Sequence, residues 1–95
     1  MDKYDKSISA LKILVYGKVQ GVFFRAWAKK QALKFFLVGW AKNLIDGSVE
    51  IFIEGKEENL EKFLFSCLKG SSNSEVKYLI IQPTDKKNLT NFDIL

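Results

Sequence analysis

The residues that could bind an anion lie between a run of alternating apolar residues and an amphipathic segment. Residues 15–25 read Val-Tyr-Gly-Lys-Val-Gln-Gly-Val-Phe-Phe-Arg. Glycines let the backbone turn tightly with N–H groups pointing inward, and a following helix adds roughly half a positive charge at its N-terminus. Arg25, in the first turn of that helix, carries a planar fork of donors that fits two phosphate oxygens. The pattern indicates an anion site, although a plain turn before a solvated arginine would look the same locally.

A second polar residue, Asn43, lies where another predicted strand ends. Residues 39–55 read Gly-Trp-Ala-Lys-Asn-Leu-Ile-Asp-Gly-Ser-Val-Glu-Ile-Phe-Ile-Glu-Gly. A carboxamide offers one acceptor and two donors, so it can orient a water molecule without becoming charged. Asparagine is also common in loops because it tolerates left-handed conformations, and for Asn43 taken alone this is the more common explanation.

Taken together, the two segments resemble the signature motifs of the acylphosphatase family. The first is Gly-x-Val-Gln-Gly-Val-x-Phe-Arg at residues 17–25, and the second is Gly-Trp-Ala-Lys-Asn-x-x-x-Gly-x-Val-x-x-x-x-x-Gly at residues 39–55. The resemblance is close from Leu11 to Gly55 and weak elsewhere, although Phe92-x-Ile94 is also expected for the family. Because each motif specifies many positions, chance agreement is remote.

The resemblance implies an enzyme that hydrolyses acyl phosphates without a cofactor or a metal. Arg25 then corresponds to the phosphate-binding arginine, and Asn43 to the asparagine that orients the attacking water. Backbone N–H groups of the loop would cradle the substrate phosphate together with Arg25; the residues concerned are Gly17, Gln20, Gly21, Val22 and Phe23.

Two positions depart from the family pattern. Phe36 follows the first helix where the family usually has glycine, so a left-handed helix end there is expected to be either strained or rebuilt. Ala28 stands where many members have a threonine near the site. The two main roles do not depend on either position.

The chemistry of acyl phosphates suits such a site. The leaving carboxylate has an intrinsic pKa of about 4 and departs as a stable anion, so no general acid is needed. Catalysis can rest on positioning and electrostatics, with inorganic phosphate as product. The substrate phosphate is the simplest acceptor for the proton of the attacking water.

The composition excludes several other classes of enzyme. The 95-residue chain has no histidine and one cysteine, Cys67, so it lacks imidazole bases and the usual ligands of zinc, copper or iron. Its net charge of +4 favours an anionic partner, which the charge alone does not identify. Cys67 lies on an apolar helix stripe and is expected to be a buried structural thiol.

The sequence also predicts where the protein is located and what it binds. No apolar run is long enough to cross a bilayer, and residues 1–6 are charged where a signal peptide would be apolar. We therefore expect a cytosolic monomer with a small-molecule substrate, no membrane and no nucleic acid. An RNA-recognition module would need a basic, aromatic motif on its third strand, and residues 48–54 instead carry Glu50 and Glu54 on the open face.

The elements that must position these residues follow from periodicity. A mobile tail, residues 1–8, is expected before a single domain, residues 9–95. Period-2 alternation predicts strands at 11–16, 38–42, 48–54 and 75–82. A short final strand is expected at 91–95, where the alternation is weaker. Helical spacing predicts helices at 23–35 and 57–69, the second with Leu60, Phe63, Leu64, Cys67 and Leu68 on its apolar stripe.

This order predicts an α+β, ferredoxin-like βαββαβ sandwich in which two helices pack on one face of an antiparallel sheet. Right-handed crossovers make the first two strands run in the same direction, so the loop after Tyr16 and the hairpin at Asn43 meet at one sheet edge. Trp27, Phe35, Trp40 and Phe63 are expected in or near the core. One alternative stays open, a non-hydrolytic binder of a phosphorylated or carbamoylated metabolite, because such domains also resemble parts of larger carbamoyl-transfer proteins; the short chain speaks against it.

Overall fold

The computed structural model describes residues 7–95, so the expected tail lies outside the described residues apart from its last two positions. The first strand already begins at Ile8, one residue before the expected domain boundary. The elements are β1 (Ile8–Lys18), α1 (Phe24–Lys34), β2 (Val38–Asn43), β3 (Val49–Lys56), α2 (Glu57–Lys69), β4 (Glu75–Thr84) and β5 (Phe92–Ile94). Every predicted element is present, and β1 extends further at both ends than its apolar alternation indicated.

The strands form one sheet in the order β4-β1-β3-β2-β5. β1 pairs antiparallel with β3 and β4, and β2 pairs antiparallel with β3, so β1 and β2 point the same way as expected. β5 pairs parallel with β2, from Gly39–Phe92 to Ala41–Ile94, so the sheet is mixed and the purely antiparallel expectation is wrong for this strand. The chain leaves β4 at one edge and crosses to the start of β2 at the other, which makes β5 run alongside β2.

Both helices cover the same face of the sheet. α1 buries Phe24, Ala28 and Ala32, and α2 buries Leu60, Phe63 and Cys67. The sheet residues packed against them include Ile13, Val15, Ala41, Val49, Ile51 and Ile53. Cys67 is fully buried, which confirms the expected buried thiol, and burial raises its pKa to about 12. Leu68 is 55% exposed, contrary to the predicted stripe, because it lies one residue, about 100°, around the helix from Cys67.

The aromatic residues divide between the two faces of the sheet. Phe63 is fully buried, and Trp27 and Phe35 pack against the core from α1 and its end. Trp40 instead lies on the face away from the helices, where it stacks on Phe52 with ring centroids 5.8 Å apart.

That second face is less open than expected. Glu50 is paired there with Lys12 at 3.2 Å. Glu54 is only 5% exposed, and its Oε1 accepts hydrogen bonds from the backbone N–H groups of Lys87 (2.6 Å) and Asn88 (3.1 Å). The segment between β4 and β5 therefore covers Glu54, and its placement on an open face is corrected.

α1 ends in a Schellman motif. The N–H of Leu37 donates to the carbonyl of Ala32 (2.8 Å), and the N–H of Phe36 donates to the carbonyl of Leu33 (3.2 Å). Phe36 occupies the left-handed position of this motif with φ of 57°. Of the two expected outcomes, the structure has the strained one, because the helix end stays left-handed with Phe36 in place of glycine.

Candidate active site

The loop from β1 to α1 begins with a glycine that the sheet requires. Gly17 has φ of 136°, and a Cβ on it would collide with the main-chain oxygen of Glu75 in β4. The β1–β4 register shifts between Tyr16 and Gly17. Gly17 thus lets β4 approach closely, and it does not line the cleft described below.

The N-terminus of α1 is open to an external acceptor. Its N-cap residue, Phe23, has φ of 59° and ψ of 28°, and no side chain caps the helix. Within residues 7–95, the N–H groups of Gln20 to Phe23 donate no hydrogen bond. The first turn contains no acidic residue. Free N–H groups and the positive end of the helix dipole therefore point to the same place, which favours an anion there.

Arg25 lies in this first turn, and its side chain forms a hydrogen bond with the main chain of Leu95, just after β5. Its Nη1 donates to the main-chain oxygen of Leu95 at 2.5 Å. The N–H of Leu95 in turn donates to the carbonyl of Ala41 in β2 at 2.9 Å. Because a guanidinium has five N–H donors, this contact orients Arg25 and leaves donors for a ligand.

The hairpin that follows Asn43 is a tight, well-bonded turn. The N–H of Leu44 donates to the carbonyl of Ser48 (2.9 Å), and Gly47 has φ of 93°. Oδ1 of Asp46 accepts from the hydroxyl (2.5 Å) and the N–H (2.9 Å) of Ser48, and these hydrogen bonds lower the pKa of Asp46. The turn therefore holds the end of β2 in one position.

Gln20 joins the two loops. Its Nε2 donates to the carbonyl of Leu44 and to the carbonyl of Ser48, both at 2.8 Å. The two side-chain protons are thereby used within the protein, so a phosphate could meet Gln20 only through the backbone N–H. The motif places Gln20 with the phosphate residues and carries no signal for this link, which spans 24 to 28 positions.

Between the two loops lies a cleft of about 270 Å³. Its lining residues are Val19, Gln20, Gly21, Phe23, Phe24, Arg25, Ala26, Asn43 and Ile94. Among residues 7–95, Arg25 is the one lining residue with an ionisable side chain. The fold thus brings Gln20, Gly21, Phe23, Arg25 and Asn43 together, whereas Gly17 and Val22 are not lining residues and Val22 packs against the core.

Asn43 carries the least expected feature of the cleft. Its Oδ1 is buried, and no donor of the described chain lies within hydrogen-bond distance. A buried carbonyl oxygen without a partner costs about 1–3 kcal/mol, so such atoms usually accept from a bound water or ligand. Ile94 also lines the cleft and was not among the predicted site residues, although the Phe-x-Ile pattern at residues 92–94 was a usable signal.

Two larger cavities, of about 450 and 530 Å³, lie at the opposite end of the sheet. Both border Ile8 at the start of β1, and neither borders the β1–α1 loop or Asn43. Size therefore does not select the site; the free N–H groups, the guanidinium and the orphaned oxygen do. Within residues 7–95 no histidine, cysteine or carboxylate cluster is arranged to hold a metal ion.

Comparison with known proteins decides the family. The family model for acylphosphatase matches residues 11–94. The chain belongs to the acylphosphatase family. The Legionella pneumophila (strain Paris) acylphosphatase is 42% identical over 85 residues, which cover 90% of this chain and 93% of that protein. The acylphosphatase structure from Coxiella burnetii superposes with a TM-score of 0.93 at 28% identity and full coverage of both chains.

The acylphosphatase fold also occurs inside a longer protein. The crystal structure of T. kodakarensis HypF matches with a TM-score of 0.78 and 32% identity over 90% of this chain but only 11% of that one. The ferredoxin-like α+β class is thus confirmed by structures of the family itself. The curated relatives are named as acylphosphatases, so the activity class of this chain is that of an acyl phosphate hydrolase.

Proposed function

We propose that this chain cleaves the carboxyl–phosphate bond of acyl phosphates by in-line attack of a water oriented by Asn43 on a phosphate held by Arg25. Family membership supports acyl phosphate hydrolysis in general. The observation that supports the mechanism is that Asn43, whose buried Oδ1 has no hydrogen-bond partner within residues 7–95, lines the same cleft as Arg25 beside the open N-terminus of α1.

The phosphate is bound by two kinds of donor. Backbone N–H groups from Gln20 to Phe23 surround it from the loop, and the guanidinium of Arg25 binds two of its oxygens. The contact of Arg25 with Leu95 keeps the fork in place before substrate arrives. Preorganised donors stabilise the charge that redistributes in the transition state without having to reorient.

The water is bound by the hairpin. Oδ1 of Asn43 accepts a hydrogen bond from the water, which fixes the direction of its lone pair toward phosphorus. The two hydrogen bonds from Gln20 Nε2 to the hairpin, called here the Gln20 clamp, hold the hairpin against the phosphate loop. The distance between water and phosphate therefore depends on both loops.

In the reaction the water oxygen forms a bond to phosphorus while the bond from phosphorus to the acyl oxygen breaks. The electron pair leaves with the carboxylate, which has a pKa of about 4 and needs no proton. The proton released by the water goes to a phosphate oxygen, so an acyl phosphate dianion and water give a carboxylate and dihydrogen phosphate. The chain's own part is binding, orientation and charge stabilisation.

A second candidate is binding of a phosphorylated or carbamoylated metabolite without hydrolysis. The match to a small part of HypF supports it, because the same domain can serve within a longer chain. The free N–H groups and Arg25 would suffice for binding, whereas the orphaned oxygen of Asn43 would then have no role. That oxygen favours the hydrolase.

Benzoyl phosphate hydrolysis, with inorganic phosphate as competitive inhibitor, tests the proposal. Arg25→Ala should weaken phosphate inhibition and lower kcat together, since Arg25 contacts phosphate in both ground and transition states. Arg25→Lys keeps the charge and loses the fork, so it should recover little. Asn43→Ala should leave phosphate inhibition nearly unchanged and lower kcat by about 10²-fold or more, the scale of one preorganised polar group.

Asn59→Ala in α2 is a matched control, since Asn59 borders a cavity at the far end of the sheet and should not affect either constant. A fully active Asn43→Ala variant would refute the water-orienting role. Wild-type protein that binds phosphate but never hydrolyses acyl phosphates would support the binding alternative.

The remaining expectations concern the surroundings of the enzyme. Neither helix in residues 7–95 has the length and apolar character needed to cross a bilayer. A cytosolic location, a monomeric state and the absence of a nucleic-acid partner stay predictions.

A further inference from the structure

A nearly buried carboxylate, that of Glu54, holds the chain just before β5 begins. Glu54 is 5% exposed, and its Oε1 accepts hydrogen bonds from the backbone N–H groups of Lys87 and Asn88 at 2.6 and 3.1 Å. Taking a carboxylate out of water is costly unless charge-assisted hydrogen bonds compensate for the lost hydration. The hydrolysis mechanism does not use Glu54 directly, so any effect on catalysis must come through the segment that it binds.

That segment, residues 85–91, joins β4 to β5 without regular secondary structure. Within it, Asn88 adopts the left-handed conformation with φ of 55°. Such a conformation persists where surrounding contacts fix it, and the N–H of Asn88 is one of the two groups bound by Glu54. Glu54 therefore fixes the course of the segment on its way to β5.

The anchor lies beside the start of β5. Glu54 is paired in register with Val38 of β2, and the next residue, Gly39, donates its N–H to the carbonyl of Asn91 at 2.9 Å. β5 has three residues and lies at the edge of the sheet. Short edge strands fray readily, because few hydrogen bonds oppose the gain in conformational entropy. The position of β5 therefore depends on its anchors, which are the buried ring of Phe92 and the segment held by Glu54.

The other end of β5 contacts the arginine of the cleft. Leu95 donates its N–H to the carbonyl of Ala41 at 2.9 Å, and its main-chain oxygen accepts from Nη1 of Arg25 at 2.5 Å. From Asn91 to Leu95 the extended chain spans about 13 Å at the rise of a parallel strand. A shift or detachment of β5 thus moves the oxygen that orients the guanidinium, although Glu54 borders a cavity at the opposite end of the sheet.

We propose that Glu54 is a positioning residue, which keeps β5 docked on β2 and thereby holds the guanidinium of Arg25 in the orientation that binds phosphate. The proposal rests on the proposed hydrolysis and adds to it a residue outside the cleft. The coupling follows one continuous stretch of chain, from residues 85–91 through β5 to Leu95. Loss of the Glu54 carboxylate raises the population of molecules with β5 detached, in which Arg25 has lost its contact with Leu95.

A double-mutant cycle with benzoyl phosphate tests the coupling, at a temperature where circular dichroism shows every variant to be folded. Glu54→Ala should lower kcat and weaken inhibition by inorganic phosphate, each by about 3- to 10-fold, the scale of coupling through a packed network. In the Arg25→Ala background the same change should alter kcat by less than about 2-fold, since β5 acts through Arg25. A residue that only stabilised the fold would lower kcat by the same factor in both backgrounds.

Two further variants separate the hydrogen bonds from the charge and from the strand. Glu54→Gln keeps a side-chain carbonyl that can accept from both N–H groups, so it should recover most of the lost kcat. Glu50→Ala is the matched control, because Glu50 lies on the same strand and the same face but pairs with Lys12 at 3.2 Å. Its kcat and phosphate inhibition should equal those of the wild type.

Hydrogen exchange measures the docking of β5 independently of catalysis. The amide of Leu95 should exchange about 10-fold faster in Glu54→Ala than in the wild type, a larger change than that at Ile51 in the centre of β3. Wild-type kinetics in Glu54→Ala, unchanged exchange at Leu95 or equal losses of kcat in both backgrounds would each overturn the role of Glu54 and leave the hydrolase intact. Wild-type protein that hydrolyses no acyl phosphate would overturn the proposed function and the positioning role with it.

Discussion

Replacing Phe36 by glycine tests the backbone argument with little else changed. The left-handed conformation costs a residue with a Cβ about 1–2 kcal/mol, which glycine would recover. Glycine makes the unfolded chain more flexible, which costs about 0.4–1 kcal/mol. The ring is 86% exposed, so removing it forfeits about a seventh of the 1.5–3 kcal/mol of a buried phenylalanine, or about 0.2–0.4 kcal/mol.

The sum is a net stabilisation of roughly 0.5 kcal/mol, equivalent to a rise in Tm of about 2–4 °C for a domain of this size. Phe36→Ala is the control, since it also removes the ring but keeps the Cβ. The glycine variant should therefore be more stable than the alanine variant by about 0.5–1 kcal/mol.

Urea unfolding followed by circular dichroism, with linear extrapolation, measures all three proteins. A glycine variant no more stable than the alanine variant would show that the left-handed conformation carries no cost at this site. A Tm lowered by many degrees in both variants would instead show that the ring of Phe36 packs as a core residue does.

Three further predictions concern the site and the core. Gln20→Leu should lower the free energy of unfolding by about 1–3 kcal/mol, because it removes two hydrogen bonds worth about 1 kcal/mol each and leaves two carbonyls unpaired. It should also lower kcat more than it weakens phosphate inhibition. An unchanged kcat would refute the role of the Gln20 clamp in positioning the hairpin. Hydrolysis should persist in EDTA, and loss of turnover that a divalent cation restores would refute the metal-independent mechanism. Because burial raises the pKa of Cys67 to about 12, iodoacetamide at pH 8 should label it only after unfolding, and rapid labelling of the native enzyme would contradict the burial.

Much of the local structure could be predicted from the sequence because it depends on neighbours along the chain. Alternation with period 2 gave β1 and β3, and spacing of three and four residues gave α1 and α2. Phe36 was identified as a departure from the family's usual glycine, whereas its left-handed conformation was not decided by the sequence. Arg25 and Asn43 were identified by the two family motifs, and the common direction of β1 and β2 placed their loops at one edge.

Other features could not be predicted, because they depend on contacts between distant segments. The hydrogen bonds of the Gln20 clamp join groups that are 24 and 28 positions apart in the sequence, and the contact of Arg25 with Leu95 joins residues 70 positions apart. Glu54 reads as an alternating, solvent-facing residue, yet backbone donors more than 30 positions later cover it.

The sequence by itself determined the elements and the chemical groups of the site, since each is encoded by periodicity or residue type within a few positions. Only the tertiary structure decided the parallel pairing of β5, the burial of Glu54 and the lining of the cleft by Ile94. The physical reason is that these depend on where the chain goes after β4. Its crossing to the far edge of the sheet brings a short, weakly patterned strand beside β2 and, with it, Ile94 to the cleft.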